Sequence, residues 1–195
     1  MAGLREQHKR STRRALEDAA LGLFARDGYE ATSAGAIARA AGVTERTFFR
    51  YFATKDEVLT PDREQRQARL QAEVVAVAAA RRTAMQVAAT ALVAIAPDFE
   101  AERDTMLLRR RAAVTSPVLR GRLYDVVHTW QRTLAAALVE AGFGSLEAEV
   151  TAEAAIAVWQ GSITRWLGED AGSLAGHLES AFAALTPGAG PWLRR

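Results

Sequence analysis

Apolar positions recur at three- and four-residue spacing along almost the whole chain, with no sustained alternation of period two, so the pattern predicts helices throughout. The first begins near Ser11 and gathers Ala15, Leu16, Ala19, Ala20, Leu23 and Phe24 on one broad face, with Gly28 placed to end it. Ser33 is placed to cap a second helix bearing Ile37, Ala38 and Ala41, which stops at Gly42. Thr44 caps a third, ending near Phe52. A fourth is predicted from Thr54 and Lys55, continuing past Pro61 because proline is tolerated in a first turn or at a kink. Longer helices follow over 82–96 (stopped by Pro97), 98–114, from Ser116-Pro117 to Ala141, 146–167 and 172–185. The last carries Leu174, Leu178, Ala181, Phe182 and Leu185 as a single stripe, and "TPGAGPWLRR" reads as a frayed end. The expected fold class is all-α, with a three-helix N-terminal unit over residues 1–54 and a larger helical body over 55–195.

Composition narrows the function. Of 195 residues, 49% are apolar, enough for a real core. The absence of cysteine excludes disulfides, thiol catalysis and Cys-based metal sites. No apolar run approaches the roughly 20 residues of a membrane span, and the charged start "MAGLREQHKRSTRR" lacks the apolar stretch of a secretory signal. These features read as a protein of the cytoplasm with no membrane partner. The net charge of +2 is uneven: residues 1–55 carry ten Lys/Arg against six Asp/Glu, and the rest carry fifteen against seventeen. The N-terminal part is thus suited to an anion. Arg far outnumbers Lys, 23 to 2, in keeping with a GC-rich bacterial genome.

No catalytic constellation appears. The three histidines are isolated, no Gly-rich phosphate loop is present, and His177 and Glu179 stand two apart, so they face apart on a helix. Neither a metal nor a cofactor nor an enzymatic activity is implied.

Ser33 to Phe52 has instead the layout of a helix-turn-helix, two short helices joined at Gly42. In such a unit the second helix enters the DNA major groove with its N-terminal residues against base edges. "VTERTFFRYF" meets both demands. Phe48 and Phe52, four apart, share a face that anchors the helix. Glu45, Arg46, Thr47, Arg50 and Tyr51 lie around the remaining surface. Arg46 sits in the first turn, within reach of a base edge, and arginine is the usual bidentate reader of guanine. Arg50 and Tyr51 reach phosphates.

The stretch Leu23 to Leu59, with "F-x-x-x-G-Y-x-x-T-S", "I-A-x-x-A-G-V-T", "T-F-F-R-Y-F" and "T-K-D-E-V-L", closely resembles the N-terminal domain of the TetR family of bacterial transcriptional regulators. The resemblance is strong over residues 11–59. Beyond them the chain agrees with the family only in size and helical character. It implies a recognition helix over Thr44–Tyr51 with Glu45, Arg46 and Thr47 as base readers. It implies phosphate contacts from Thr32, Ser33, Arg50, Tyr51 and Lys55. Phe49 stands where many members have a tyrosine whose hydroxyl bonds a phosphate, so here that contact is lost or reduced to van der Waals packing. Many members also have a small residue at the position of Arg46, and a long arginine there points to an extra contact and a different operator. Arg5, Lys9, Arg10, Arg13 and Arg14 read either as an arm along the DNA backbone or minor groove or as a solvated basic start.

For the body, the resemblance implies a homodimer and, usually, a small-molecule pocket. The dimer candidates are residues 146–167, with small Ala152, Ala154, Ala155, Ala157, Gly161 and Ser162, and residues 172–185. The pocket candidates are Met106, Arg109, Val114, Tyr124, His128, Gln131 and Trp159, a mixture that suits a mostly apolar effector with one polar end. Each is more often plain core, and His128 more often a satisfied or half-exposed histidine than a ligand. The run Arg109–Arg111 is either an ion-pair partner for Glu102 and Asp125 or a site for an anionic ligand such as a fatty-acyl conjugate; some relatives with a similar "R-T-F-F-R-Y-F" motif respond to fatty acyl-CoA. A continuous helix four, from Thr54 through Leu70, Val74 and Val77, is the expected lever between effector and DNA. The expected role is a repressor on a near-palindromic operator in the nucleoid, released by the effector; a regulator without an effector, or an activator, is the alternative.

Overall fold

A computed structural model describes residues 2–60, 63–78, 82–169 and 172–185, with side chains from residue 7 onward. All regular structure among them is helical: α1 (Ala2–Asp27), α2 (Ala34–Ala40), α3 (Glu45–Tyr51), a 3-10 turn (Lys55–Leu59), α4 (Arg63–Ala78), α5 (Ala84–Glu100), α6 (Arg103–Thr115), α7 (Pro117–Glu140), α8 (Ser145–Gly168) and α9 (Leu174–Leu185). The expected frayed end falls outside the described residues.

The helices form two compact units. One comprises Met1–Pro61 with Asp104–Asp125, the other Asp62–Arg103 with Val126–Arg195. This partition differs from a single cut after residue 54, because α6 and the start of α7 belong with the N-terminal helices. In the first unit, Leu16, Ala20, Leu21, Phe24, Ile37, Ala38, Phe48, Phe52, Val58 and Leu59 form one core, to which Ala112, Ala113 and Leu119 are added. In the second, α5 packs against α4, α8 and α9 and is apolar almost all round, with Val87, Ala88, Ala89, Ala91, Leu92, Ile95 and Ala96 buried. Phe99, Trp130 and Trp159 cluster beside it, the two tryptophans stacked 6.0 Å apart.

Local chemistry explains most helix ends. Ser33 and Thr44 cap α2 and α3, accepting from the N–H groups of Ala36 and Thr47. α2 stops in a Schellman motif, with Gly42 N–H on the Arg39 carbonyl and Val43 N–H on that of Ala38. Gly42 adopts φ +70, a backbone that glycine reaches without Cβ strain.

Four boundaries depart from the sequence reading. α1 starts at Ala2 rather than Ser11, because Leu4 to Arg10 are mostly good helix formers and the Thr12 hydroxyl donates back to the His8 carbonyl at 2.9 Å instead of capping. α5 passes Pro97 and ends at Glu100, since a proline in the last turn forfeits only its own N–H while its carbonyl still accepts from Ala101. α6 starts at Arg103 rather than 98, after a turn at Ala101 and Glu102. The expected fourth helix is not continuous. Phe52 and Thr54 are extended, residues 55–59 make only a 3-10 turn, and Thr60 leaves the helical region at φ −135, as the residue before a proline tends to do. The helix drawn from Thr54 through Val77 is therefore interrupted at Thr60.

Candidate nucleic-acid interface

α3 is only seven residues long, and the placement of its side chains rests on a division of labour between its two faces. Phe48 is fully buried and Phe52, just past the helix, is 2% exposed; their ring centroids lie 5.6 Å apart. This pair seats α3 in the core that it shares with α1 and α2. The opposite side holds Thr44, Glu45, Arg46, Phe49 and Arg50, all exposed, with Thr47 and Tyr51 half-buried. Phe49 is 51% exposed and meets Phe48 edge-on at 5.4 Å. A large apolar ring, two arginines and two threonine hydroxyls therefore share one short solvent-facing surface. The Arg50 guanidinium lies 5.3 Å from the Tyr51 ring centroid, and the Thr44 and Thr47 hydroxyls are 2.9 Å apart. Glu45 leans toward α2: a Cβ added at Gly35 would come within 3.1 Å of its carboxylate, so glycine at 35 lets this side chain lie close.

Other sequence-predicted positions behave differently. Ser33 is exposed at the start of α2. Thr32 is 3% exposed, and its hydroxyl donates to the Gly28 carbonyl at 2.8 Å while its N–H bonds the Tyr29 carbonyl. Both of its donors are spent inside the α1–α2 turn. Lys55 is also turned inward. Its ammonium donates to the carbonyls of Tyr29 (2.7 Å) and Thr32 (3.0 Å) and sits 4.0 Å from the Tyr29 ring centroid. It does not open a long helix, and two of its three protons are engaged within the protein.

The basic N-terminal residues separate as well. Lys9, Arg10 and Arg14 are exposed along α1. Arg13 lies over the ring of Phe52 and donates to Glu17 at 3.3 Å, which makes it part of the unit's own packing. The side chain of Arg5 is outside the described residues.

Sequence reasoning did not place Glu17, Asp56 or Arg122 in this unit, and it gave Arg109 other partners. Glu17, 8% exposed on α1, pairs with Arg13 and faces Arg109 of α6 at 3.8 Å. Asp56, 7% exposed, is paired with Arg122 of α7 and accepts from the Tyr29 hydroxyl at 3.4 Å. Burial pushes the Asp56 carboxyl up, but its own backbone N–H, the Thr54 hydroxyl and Arg122 outweigh that and hold it below the usual carboxylate range. Burial, and then the Asp56 charge, raise the Tyr29 hydroxyl. The one available signal was the acidic residue directly after Lys55 in "T-K-D-E-V-L".

The model of the bacterial regulatory proteins of the tetR family matches residues 16–60. The N-terminal domain is a TetR-family domain. Over 60 residues the chain is 53% identical to the HTH-type transcriptional regulator TcmR of Streptomyces glaucescens, a match covering 30% of this chain and 26% of that relative's length. A Mycobacterium tuberculosis protein that carries the name of a mycofactocin biosynthesis transcriptional regulator, MftR, is 27% identical over 176 residues, 89% of this chain and 88% of its own. Among solved structures, the TetR-family transcriptional repressor FadR of Thermus thermophilus, in complex with lauroyl-CoA, is 26% identical with a TM-score of 0.54, covering 89% of this chain and 92% of that one. The likeness to TetR-family regulators is thus firmest over residues 16–60, and the fold is all-helical among the described residues.

The residues expected to line an effector pocket do not share one environment. Val114 is 69% exposed, Tyr124 is 71% exposed, and His128 is also exposed. These three face solvent in the protomer. They lie on outward positions of α6 and α7 that the apolar pattern alone does not separate from inward ones. Met106 is half-buried and Trp159 is buried, stacked on Trp130. Gln131 donates to Glu153 at 2.7 Å. Arg109 faces Glu17, and Glu102 pairs with Arg66, whose guanidinium also lies 4.6 Å from the Phe99 ring centroid.

The small and apolar residues considered for dimerisation divide into two faces. Ala152, Ala155 and Ser162 of α8 and Leu174, Leu178 and Phe182 of α9 are buried in the protomer. Leu146 and Val150, 73% and 60% exposed, continue through Ala154, Ala157 and Gly161 along the other side of α8.

Proposed function

We propose that the protein is a repressor that acts as a homodimer on a near-palindromic operator and is released by a small, mostly apolar effector. The observation that carries the DNA half is the two-faced α3, with Phe48 buried and Arg46, Phe49 and Arg50 exposed beside it. In this reading Arg46 and Thr47, with Glu45 and Thr44, meet base edges. Arg50, Tyr51 and Ser33 meet phosphates. Phe49 packs against sugar or a thymine methyl. Lys55, with two protons held internally, contributes at most its third.

The dimer half is supported by the outward stripe of α8, Leu146 to Gly161, which is apolar or small and largely exposed in the protomer. A two-fold dimer through α8 and α9 would present two recognition helices about 34–36 Å apart, one turn of DNA. The effector half is supported by the lauroyl-CoA bound to the Thermus thermophilus relative and by the apolar second unit. A long-chain acyl-CoA is the first ligand class to try.

Selection of bound duplexes from a random pool, followed by footprinting, tests the reading. The expected product is a pair of inverted half-sites one turn apart, bound by a dimer, with affinity lowered on addition of lauroyl-CoA. A selected sequence that no acyl-CoA weakens would favour the regulator without an effector. Transcription from a promoter carrying the selected site separates repressor from activator.

A further inference from the structure

The helix-turn-helix is closed into a ring by two consecutive residues at its exit. Tyr29 and Thr32 belong to the turn that leads into α2, and Lys55 and Asp56 follow α3. Lys55 holds both turn carbonyls and covers the Tyr29 ring, while Asp56 accepts from the hydroxyl of the same tyrosine. The far edge of this tyrosine ring packs against Phe24 of α1, with centroids 5.2 Å apart. Entry and exit of the α2–α3 segment are thus stapled through one aromatic side chain. The staple is held from outside by Arg122 of α7, whose guanidinium pairs with the buried Asp56 carboxylate. Asp56 cannot face α3's reading surface, because it is 7% exposed and its oxygens are spent on Arg122, Tyr29 and Thr54.

We infer that Arg122 and Asp56 are positioning residues for DNA reading: without touching DNA, their pair sets how the stapled α2–α3 segment is aimed. This rests on the DNA-reading role of α3. The physical warrant is that a buried carboxylate deprived of its guanidinium seeks water or a proton. Either response loosens the ion pair between α7 and the Tyr29 staple. A reading helix must hold several side chains in register with base edges, so a small change in aim costs sequence-specific contacts first.

Charge alone predicts the opposite result for one of the two partners, which makes the test decisive. Asp56→Asn removes a negative charge from a domain that binds a polyanion, so simple electrostatics predicts tighter DNA binding. Positioning predicts weaker binding. The probes are the duplex enriched from a random pool by the wild-type protein and a random-sequence duplex of equal length. The expected result is that Asp56→Asn and Arg122→Gln each weaken the enriched duplex by about tenfold, the loss of roughly one charge-assisted hydrogen bond, with much smaller changes on random DNA. Arg122→Lys, which keeps the charge opposite Asp56, should recover most of the loss. A double substitution with Arg46→Ala should fall short of additivity, because a misaimed α3 has already forfeited part of the Arg46 contact. Enriched and random binding that fall in parallel for Arg122→Gln, or Asp56→Asn that binds the enriched duplex as tightly as wild type or tighter, would overturn the inference while leaving the DNA-reading role intact. Should Asp56→Asn fail to fold, the Arg122→Gln and Arg122→Lys pair decides alone. A wild-type protein that enriches no duplex would remove the DNA-reading role and this inference with it.

Discussion

The Arg13 guanidinium lies over the ring of Phe52, 5.3 Å from its centroid, and donates to the nearly buried Glu17. An arginine that the sequence places in a basic run is therefore a clamp on the residue that ends α3. Arg13→Ala should destabilise the protein by about 1 kcal/mol through lost cation–π contact and stem packing, a shift of a few degrees in Tm. Arg10→Ala and Arg14→Ala, on exposed side chains, should leave Tm unchanged. Thermal melts of the three variants check this; equal Tm values for all three would place Arg13 in solvent.

Phe48 and Phe49 are neighbours with opposite fates. Phe48→Ala empties a fully buried site and should cost about 3–5 kcal/mol. Phe49→Ala should leave stability within about 0.5 kcal/mol, as for an ordinary surface change, yet weaken DNA binding. Denaturant melts and DNA titrations, run side by side, separate the two. A Phe49→Ala protein that binds DNA like wild type would take this ring out of the interface.

Arg46 and Arg50 should differ in kind. Arg46→Ala should lose discrimination between selected and random duplexes, by about 1–3 kcal/mol for a bidentate guanine contact. Arg50→Ala should weaken both about equally and reduce the salt slope by roughly one. Binding isotherms at several salt concentrations check both; if Arg46→Ala behaves like Arg50→Ala, Arg46 is a backbone contact.

His177 provides a pH dependence. Its Nδ1 faces the Ser173 carbonyl at 2.8 Å and its Nε2 faces Glu169 at 3.0 Å, two acceptors that only the doubly protonated ring satisfies. The Ser173 carbonyl first, and then Glu169, raise its pKa; the His177 hydrogen bond chiefly lowers that of Glu169. A raised histidine pKa gives a contribution complete below the unfolded value near 6.5 and lost as pH rises through the folded one. On the acid side the contribution fades as pH falls through the depressed Glu169 pKa. His177→Gln should thus lower Tm in mildly acidic buffer and converge with wild type in alkaline buffer. Melts across that range check it, and a constant difference at every pH would show that the charge is immaterial.

The caps and turns were legible because their chemistry is local. Ser33, Thr44, Gly28 and Gly42 act on backbone groups a few residues away, so their positions in the chain suffice. The two faces of α3 were legible for the same reason, from the spacing of Phe48 and Phe52. What the pattern could not supply was the direction of polar side chains in a turn. Thr32 and Lys55 look solvent-facing in sequence, and both turn inward because the carbonyls of Gly28, Tyr29 and Thr32 need donors. Asp56 and Arg122 were missed, and Arg109 was given other partners than Glu17, because these pairs join distant parts of the chain, at separations that periodicity does not register. Tyr124 and Val114 were read as lining because an aromatic and a branched aliphatic side chain look like core, although they sit on outward faces.

The tryptophans of this chain are Trp130, Trp159, Trp166 and Trp192, and none falls within Met1–Pro61 or Asp104–Asp125. Indole light emission is therefore confined to the second unit, while the unit that holds α3 carries only phenylalanine and tyrosine as aromatic residues. The near-parallel stack of Trp130 on Trp159, 16° between ring planes, places two strong chromophores close enough for their transitions to couple. Indole emission and ellipticity are thus an intrinsic optical label for the second unit, and backbone ellipticity registers both. A heating curve followed at the two signals would distinguish one cooperative transition from two without any added dye.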